Sequence, residues 1–208
     1  GINLYAIHPQ NETALNTNLY PQCVWGADVL NVFLRDHLVP QLRRDNIDIE
    51  VWLGTIVNEH LSEYVDPVLG DPVTGPSIVG VGYQYGGQKT LLATHEKYPA
   101  KKLAQTETEC YGGGNAWDQA LLTFSHLIED TAHFANSYFF WNMVLDESGL
   151  SRWNWRQNSL LTVDRRSEKV TYNPEFYAMK HFSALVLPGA QRIAVSGGPF
   201  KDVVAFQN

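Results

Sequence analysis

Strand and helix alternate five times along this chain, strand first, and the strands are near-continuous apolar runs instead of alternating ones. A strand that is apolar on both faces must be covered on both faces, which calls for a parallel sheet wrapped by helices. The expected strands are Ile2–His8, Ile47–Thr55, Ile78–Tyr83, Lys101–Glu107 and Ser137–Val144. Between and after them, helices are expected over Ala27–Arg43, Asn58–Tyr64, Lys89–Lys97, Ala116–Asn136 and Pro174–Val186. The first carries its apolar stripe on Val29, Leu30, Val32, Phe33, Leu34, Leu38 and Leu42, with Pro40 set to bend its last turn. The last has Asn173 as cap and Pro174 at its first position. Asp66–Pro76, with three prolines and two glycines, reads as loop.

The rhythm breaks near the carboxyl end. Gln191–Ser196 and Lys201–Gln207 are short alternating strands joined by Gly-Gly-Pro, a hairpin that begins an all-β appendage. The domain division expected is therefore 1–188 for an α/β catalytic part and 189–208 for the start of the appendage.

Several function classes are disfavoured by what the chain lacks. With a net charge of −7 it has no clustered Lys and Arg to neutralise phosphates, so nucleic acid is not an expected partner. No apolar run approaches a membrane span. Two cysteines, Cys23 and Cys110, imply no disulfide framework. The seven histidines include no H-E-x-x-H, and His126 and His133 form only a loose pair, so neither metal nor cofactor is expected. There is no G-x-S-x-G elbow, and Gly112–Gly114 lacks the Lys-Ser/Thr of a phosphate loop.

In barrels of alternating strand and helix, reactive groups sit at the carboxyl ends of strands. Those ends carry Asn11 and Glu12, Tyr85, Glu107 and Glu109, and Trp141 and Asn142. Two carboxylates on different strands, with amides and aromatics between them, are what a retaining glycosidase needs: one attacks the anomeric carbon, the other gives and later takes a proton. A strand-end glutamate also serves as a solvated or helix-capping residue. Glu107 and Glu109, two apart on one strand, share a face, so alternation does not choose between them.

The segments Gln10-Asn11-Glu12, Tyr20-Pro21-Gln22-Cys23, Gln105-Thr106-Glu107, Phe140 to Leu145, Trp155 to Ser159 and Tyr172 to Tyr177 closely resemble glycoside hydrolase family 30, in order, over nearly the whole chain. That family contains glucosylceramidases, β-glucanases and xylanases. The resemblance implies a partial (β/α)8 TIM barrel, about strands four to eight, followed by the first strands of a β-sandwich. It implies Glu12 as general acid/base and Glu107 as nucleophile, with Glu109 a loop acid. Asn11 would hydrogen-bond the sugar hydroxyl beside the anomeric carbon, Tyr85 would hold the nucleophile, Trp141 would stack on the sugar, and Asn158 would line the same pocket. The implied partner is a carbohydrate or glycolipid, with glucosylceramide or a β-glucan favoured by the tryptophans Trp25, Trp117, Trp153 and Trp155, and the implied setting is secreted or lysosomal. A binding protein that kept the cleft and lost turnover is the rival from another class.

Two departures stand out. Asn11-Glu12-Thr13 replaces the family's usual Asn-Glu-Pro and creates a formal glycosylation sequon, read as unused because a glycan on Asn11 would block the cleft. Three barrel units are missing from a fold that typically needs about 250 residues. The 208-residue chain is therefore expected to be unstable or to aggregate by itself, with activity depending on an amino-terminal half.

Overall fold

The computed structural model describes residues 2–107, 110–197 and 203–208. The chain forms two compact units, residues 1–106 with 134–137, and residues 107–133 with 138–208.

The first unit carries the sheet. Its strands run in the order β1 (Ala6–Ile7), β2 (Glu50–Val57), β3 (Ile78–Gln84), β4 (Lys102–Glu107) and β5 (Ser137–Tyr138), the last two reaching the unit boundary. Sequential order with parallel pairing of β1 to β2 and β2 to β3 is the half-barrel that the strand–helix rhythm predicts. β2 to β4 match expectation within two or three residues because their apolar residues are buried on both sides: Val51, Leu53, Ile56, Ile78, Val81, Tyr83 and Leu103 face a helical layer of Leu30, Leu34, Val65, Leu69 and Leu91. On β3, Gly82 lets neighbours close in, since a Cβ there would meet the His8 ring at 2.7 Å and Thr106 Cγ2 at 2.8 Å.

Three expectations are corrected in this unit. The strand foreseen over Ile2–His8 is laddered only at Ala6–Ile7, and Ile2, Leu4 and Tyr5 are exposed. The helix foreseen over Ala27–Arg43 is a composite of α1 (Ala27–Val32), a π-helical stretch at Phe33–Leu38 and α2 (Val39–Arg44). Pro40 lies in the first turn of α2; it offers no N–H, and its ring would crowd the carbonyl four residues back, a conflict that the wider turn before it relieves. The loop foreseen over Asp66–Pro76 opens with a helical turn, α3 (Asp66–Leu69), where Pro67 sits in the tolerated first turn and Val68 and Leu69 are buried. α4 (Leu91–Lys97) falls within its expected span.

The second unit packs α5 (Trp117–Ala132) against α6 (Pro174–Ser183). It also holds a sheet not foreseen, β6 (Val144–Asp146), β7 (Leu161–Val163) and β8 (Val170–Tyr172), in which β6 and β7 are parallel and β7 and β8 antiparallel. The strand expected over Ser137–Val144 is thus divided: two residues join the large sheet, and Val144 pairs with Leu161 instead. Asn173 stands at the N-cap of α6 as expected but makes no side-chain capping bond; its amide nitrogen donates to Ser159 O, Ser159 Oγ and Thr162 Oγ1. β9 (Gln191–Ile193) and β10 (Ala205–Gln207) pair antiparallel, as the hairpin expectation requires.

Candidate active site

Glu12 lies five residues beyond the end of β1 and is 4% exposed. Its backbone has φ of 49°, a left-handed conformation that a residue with a Cβ adopts at a cost and keeps where neighbours over-determine it. Thr55 on β2 does so: the Glu12 N–H reaches Thr55 O at 3.0 Å and Thr55 Oγ1 at 3.2 Å. The same Thr55 hydroxyl donates to Asn11 Oδ1 at 2.7 Å, so one side chain fixes both residues of the Asn-Glu pair. Thr13, the third residue of the sequon, is fully buried, which hides the hydroxyl that glycosylation must recognise.

The Glu12 side chain is held from the following loop. Tyr20 Oη donates to Glu12 Oε2 at 2.5 Å, and Gln22 Nε2 donates to the same oxygen at 3.2 Å and to Tyr20 Oη at 3.2 Å. Further bonds tie that loop back: Gln10 Nε2 donates to Cys23 O at 2.8 Å, Thr17 N to Gln22 Oε1 at 3.1 Å, and Trp25 N to Thr13 O at 3.1 Å. Tyr20 and Gln22 received no role from the sequence, although both stand in one of the segments that carry the family resemblance. Trp25 was expected on a rim; it is half-buried against the core and meets Phe33 edge-on at 5.1 Å.

Tyr85 belongs to the same unit and directly follows β3. It too is left-handed, at φ of 40°, followed by Gly86 at 91°, so the chain turns sharply where β3 ends. Burial keeps His8, beside the Trp52 ring at 5.5 Å, below the ordinary histidine pKa.

Glu107, Trp141 and Asn158 fall in the second unit. Glu107 is the last residue of β4 and is half-buried; its rival Glu109 lies outside the described residues. The glycine loop that follows is gripped by Asn158. This residue is fully buried; its backbone N–H donates to Cys110 O at 2.6 Å, its Oδ1 accepts from Gly113 N at 2.8 Å, and its Nδ2 donates to Gln119 Oε1 at 2.8 Å and to Glu175 Oε1. Both amide hydrogens and the amide oxygen are therefore engaged. Gly113, at φ of 76°, takes a conformation open to glycine, and a Cβ there would come within 3.1 Å of Arg156 Cβ. Trp141 is half-buried, and its neighbour Asn142 is secured by bonds from Asn142 Nδ2 to Gln157 Oε1 at 3.0 Å and from Leu160 N to Asn142 O at 3.0 Å.

Glu175, fully buried, has one oxygen on Asn158 and, among the described residues, no partner on Oε2, and burial pushes its carboxyl above the usual range. Asp130 on α5 is similar: 3% exposed, Oδ2 without a partner among the described residues, and raised by burial and by Glu129 to about 7. Trp117 stacks on Tyr177 at 6.3 Å and Trp153 on Trp155 at 5.7 Å. Among the described residues no group of three or more His, Cys, Asp or Glu is placed to hold a metal ion, and no helix is long and apolar enough to cross a membrane.

Comparison with known proteins bears on what this arrangement is for. The chain is 24% identical to the lysosomal acid glucosylceramidase of Mus musculus over 223 residues, covering 98% of this chain and 43% of that protein. Its fold superposes on that of an endo-β1,6-glucanase with a TM-score of 0.84 at 22% identity, covering all of this chain and 50% of the other. A family 30 endoxylanase from Clostridium papyrosolvens gives 0.73 at 18% identity, covering all of this chain and 48% of the other. The chain spans about two fifths of the length of the curated relatives it matches, 40 to 43%. The model of the glycosyl hydrolase family 30 TIM-barrel domain matches residues 1–186, and the chain belongs to that family.

Proposed function

We propose that this chain contributes both reactive carboxyls of a retaining β-glycosidase that cleaves β-linked glucose from a glucosylceramide or a β-glucan. The observation that carries the reading is Glu12: a buried acid past a strand end, its backbone held left-handed by Thr55 and one carboxyl oxygen engaged by two donors. Strand-end acids that merely face solvent are not fixed in this way.

In the proposed reaction the Glu107 carboxylate attacks the anomeric carbon while Glu12 delivers a proton to the departing oxygen, and the glycosidic bond breaks as the ester to Glu107 forms. Glu12 then removes a proton from water, whose oxygen bonds to the anomeric carbon and releases Glu107. The separation required of the two carboxyls is roughly 5 Å. Asn11 contributes a hydrogen bond to the neighbouring sugar hydroxyl, Tyr85 holds the nucleophile, and Trp141 stacks on the sugar. Asn158 is assigned a different part from contact with sugar, since its amide is sealed and fully engaged: it holds the loop after Glu107.

Preference for glucose is supported by relatives named as glucosylceramidases, and the lysosomal relative supports a lysosomal or secreted setting. Because the chain covers two fifths of those relatives, we also propose that turnover requires further barrel strands. The same proposal treats the hairpin from residue 189 onward as the start of a separate β-sandwich.

The test is a glucoside fluorinated beside the anomeric carbon, applied to the longest natural polypeptide that contains this chain. Covalent labelling of Glu107 and hydrolysis with retained configuration are expected. Labelling at Glu109, or sugar binding without labelling or hydrolysis, overturns the assignment, the latter in favour of a carbohydrate-binding protein. Turnover by the isolated 208-residue chain overturns the need for further strands.

A further inference from the structure

Glu12 has two carboxyl oxygens, and the loop after it treats them differently. Tyr20 and Gln22 both donate to Oε2, at 2.5 Å and 3.2 Å. Gln22 also donates to Tyr20 Oη at 3.2 Å, which occupies the phenol oxygen as an acceptor and turns its hydrogen toward Glu12. No hydrogen bond among the described residues reaches Oε1. An oxygen that already accepts two hydrogen bonds has little capacity left to carry a proton, so the proton of the acid form belongs on the other oxygen.

We infer that Tyr20 is a positioning residue which, with Gln22, fixes the Glu12 carboxyl by Oε2 and so makes Oε1 the oxygen that exchanges protons with the substrate. The inference rests on the proposed role of Glu12 as acid/base. In the first step the proton leaves Oε1 for the glycosidic oxygen as the carbon–oxygen bond breaks; in the second, a water proton returns to Oε1 as its oxygen bonds to the anomeric carbon. Tyr20 and Gln22 keep their protons throughout. Their effect is to hold the carboxyl in one rotation, which pre-organises proton transfer. The loop is suited to this, since Gln10 holds Cys23 O and Trp25 N holds Thr13 O, tying the chain just beyond the Tyr20–Gln22 segment back to the Gln10–Thr13 segment.

Such a role touches only steps that need the acid. Glucosides of dinitrophenol depart without protonation, whereas methyl or glucosyl leaving groups do not. Measured as kcat/KM on the complete natural polypeptide, Tyr20→Phe is expected to lose about tenfold on the poor leaving groups, the worth of one short hydrogen bond, and to leave dinitrophenyl glucoside nearly unchanged. Gln22→Leu removes the second donor to the same oxygen and is expected to change in the same direction by less, which keeps the inference testable if Tyr20→Phe does not fold. Equal losses on both classes, or no loss on either, overturn it. Glu12→Ala is run alongside: discrimination between leaving groups by Glu12→Ala with none by Tyr20→Phe removes only the Tyr20 assignment. Absence of discrimination by Glu12→Ala removes the acid/base reading as well.

Discussion

Glu12 and Glu175 are both buried glutamates with an amide on one oxygen, and they are held to opposite ends. Glu12 takes two donors on Oε2, from a loop tied by its own backbone, and its main chain is bent into a left-handed turn. Glu175 takes the Asn158 amide on Oε1 and feels its own backbone N–H, has no partner on Oε2 among the described residues, and is pushed by burial toward its neutral form. The first arrangement fixes the orientation of a carboxyl; the second stores a carboxyl inside a network whose other arms reach Gly113 and Gln119. Burial by itself does not mark a reactive acid. What distinguishes the two is whether the surrounding hydrogen bonds end at the acid or pass through it.

Substitutions can break that contrast. The largest effect is expected for Glu12→Gln, which keeps the shape and removes the exchangeable proton: a fall in kcat/KM on unactivated glucosides of about 10²- to 10⁴-fold, with thermal unfolding little changed. Glu175→Gln is expected to do the reverse, leaving kcat/KM within a few-fold. If Glu175→Gln costs as much activity as Glu12→Gln, the distinction drawn above is wrong.

Next in size is Asn158→Ala. It strips the shared partner from Gly113 N–H, Gln119 Oε1 and Glu175 Oε1 at a fully buried position, so about 3 kcal/mol or more of stability should be lost in chemical unfolding. A loss below about 1 kcal/mol would show that the network is incidental.

The remaining effects concern protons. Asp130 has its pKa raised from 3.8 to about 7, chiefly by burial, so the native state binds the proton more tightly than the unfolded chain. Its contribution is fully present below about pH 4 and is lost as pH rises to about 7, a change of roughly 4 kcal/mol in the limit of full burial. Asp130→Asn should flatten stability over that window, as read by denaturant midpoints from pH 4 to pH 8. Glu175 is raised as well, so its contribution is lost with the same sign as pH rises from the ordinary glutamate range, and Glu175→Gln should remove that loss. Unchanged pH profiles for both variants would mean that water or another group satisfies the orphaned oxygens.

Much of the fold was legible before any coordinates. Ile78–Tyr83 and Lys101–Glu107 read as buried strands because their apolar residues need cover on both faces, and both are strands of the sheet. Expectation failed where local preference lacked a partner. Ile2–Tyr5 has strand-forming residues, yet a ladder needs a neighbour, and only Ala6 and Ile7 pair with β2. Ser137–Val144 is largely apolar, but the choice between the large sheet and pairing with Leu161 is made by contacts far along the chain.

The two candidate carboxyls and their neighbours on the strand ends could be nominated from residue type, position and family resemblance, because a barrel places chemistry at strand ends whatever its loops do. The amino-acid sequence by itself thus determined the strand–helix order, the family and the candidates Glu12 and Glu107. Only the tertiary structure decided that Thr55, 43 residues away, fixes the Glu12 backbone, that Tyr20 and Gln22 meet on one oxygen, and that Asn158 serves the glycine loop. Those facts depend on distance and direction between side chains, which no periodicity encodes; a hydrogen bond a few tenths of an ångström too long or poorly aimed is a different interaction.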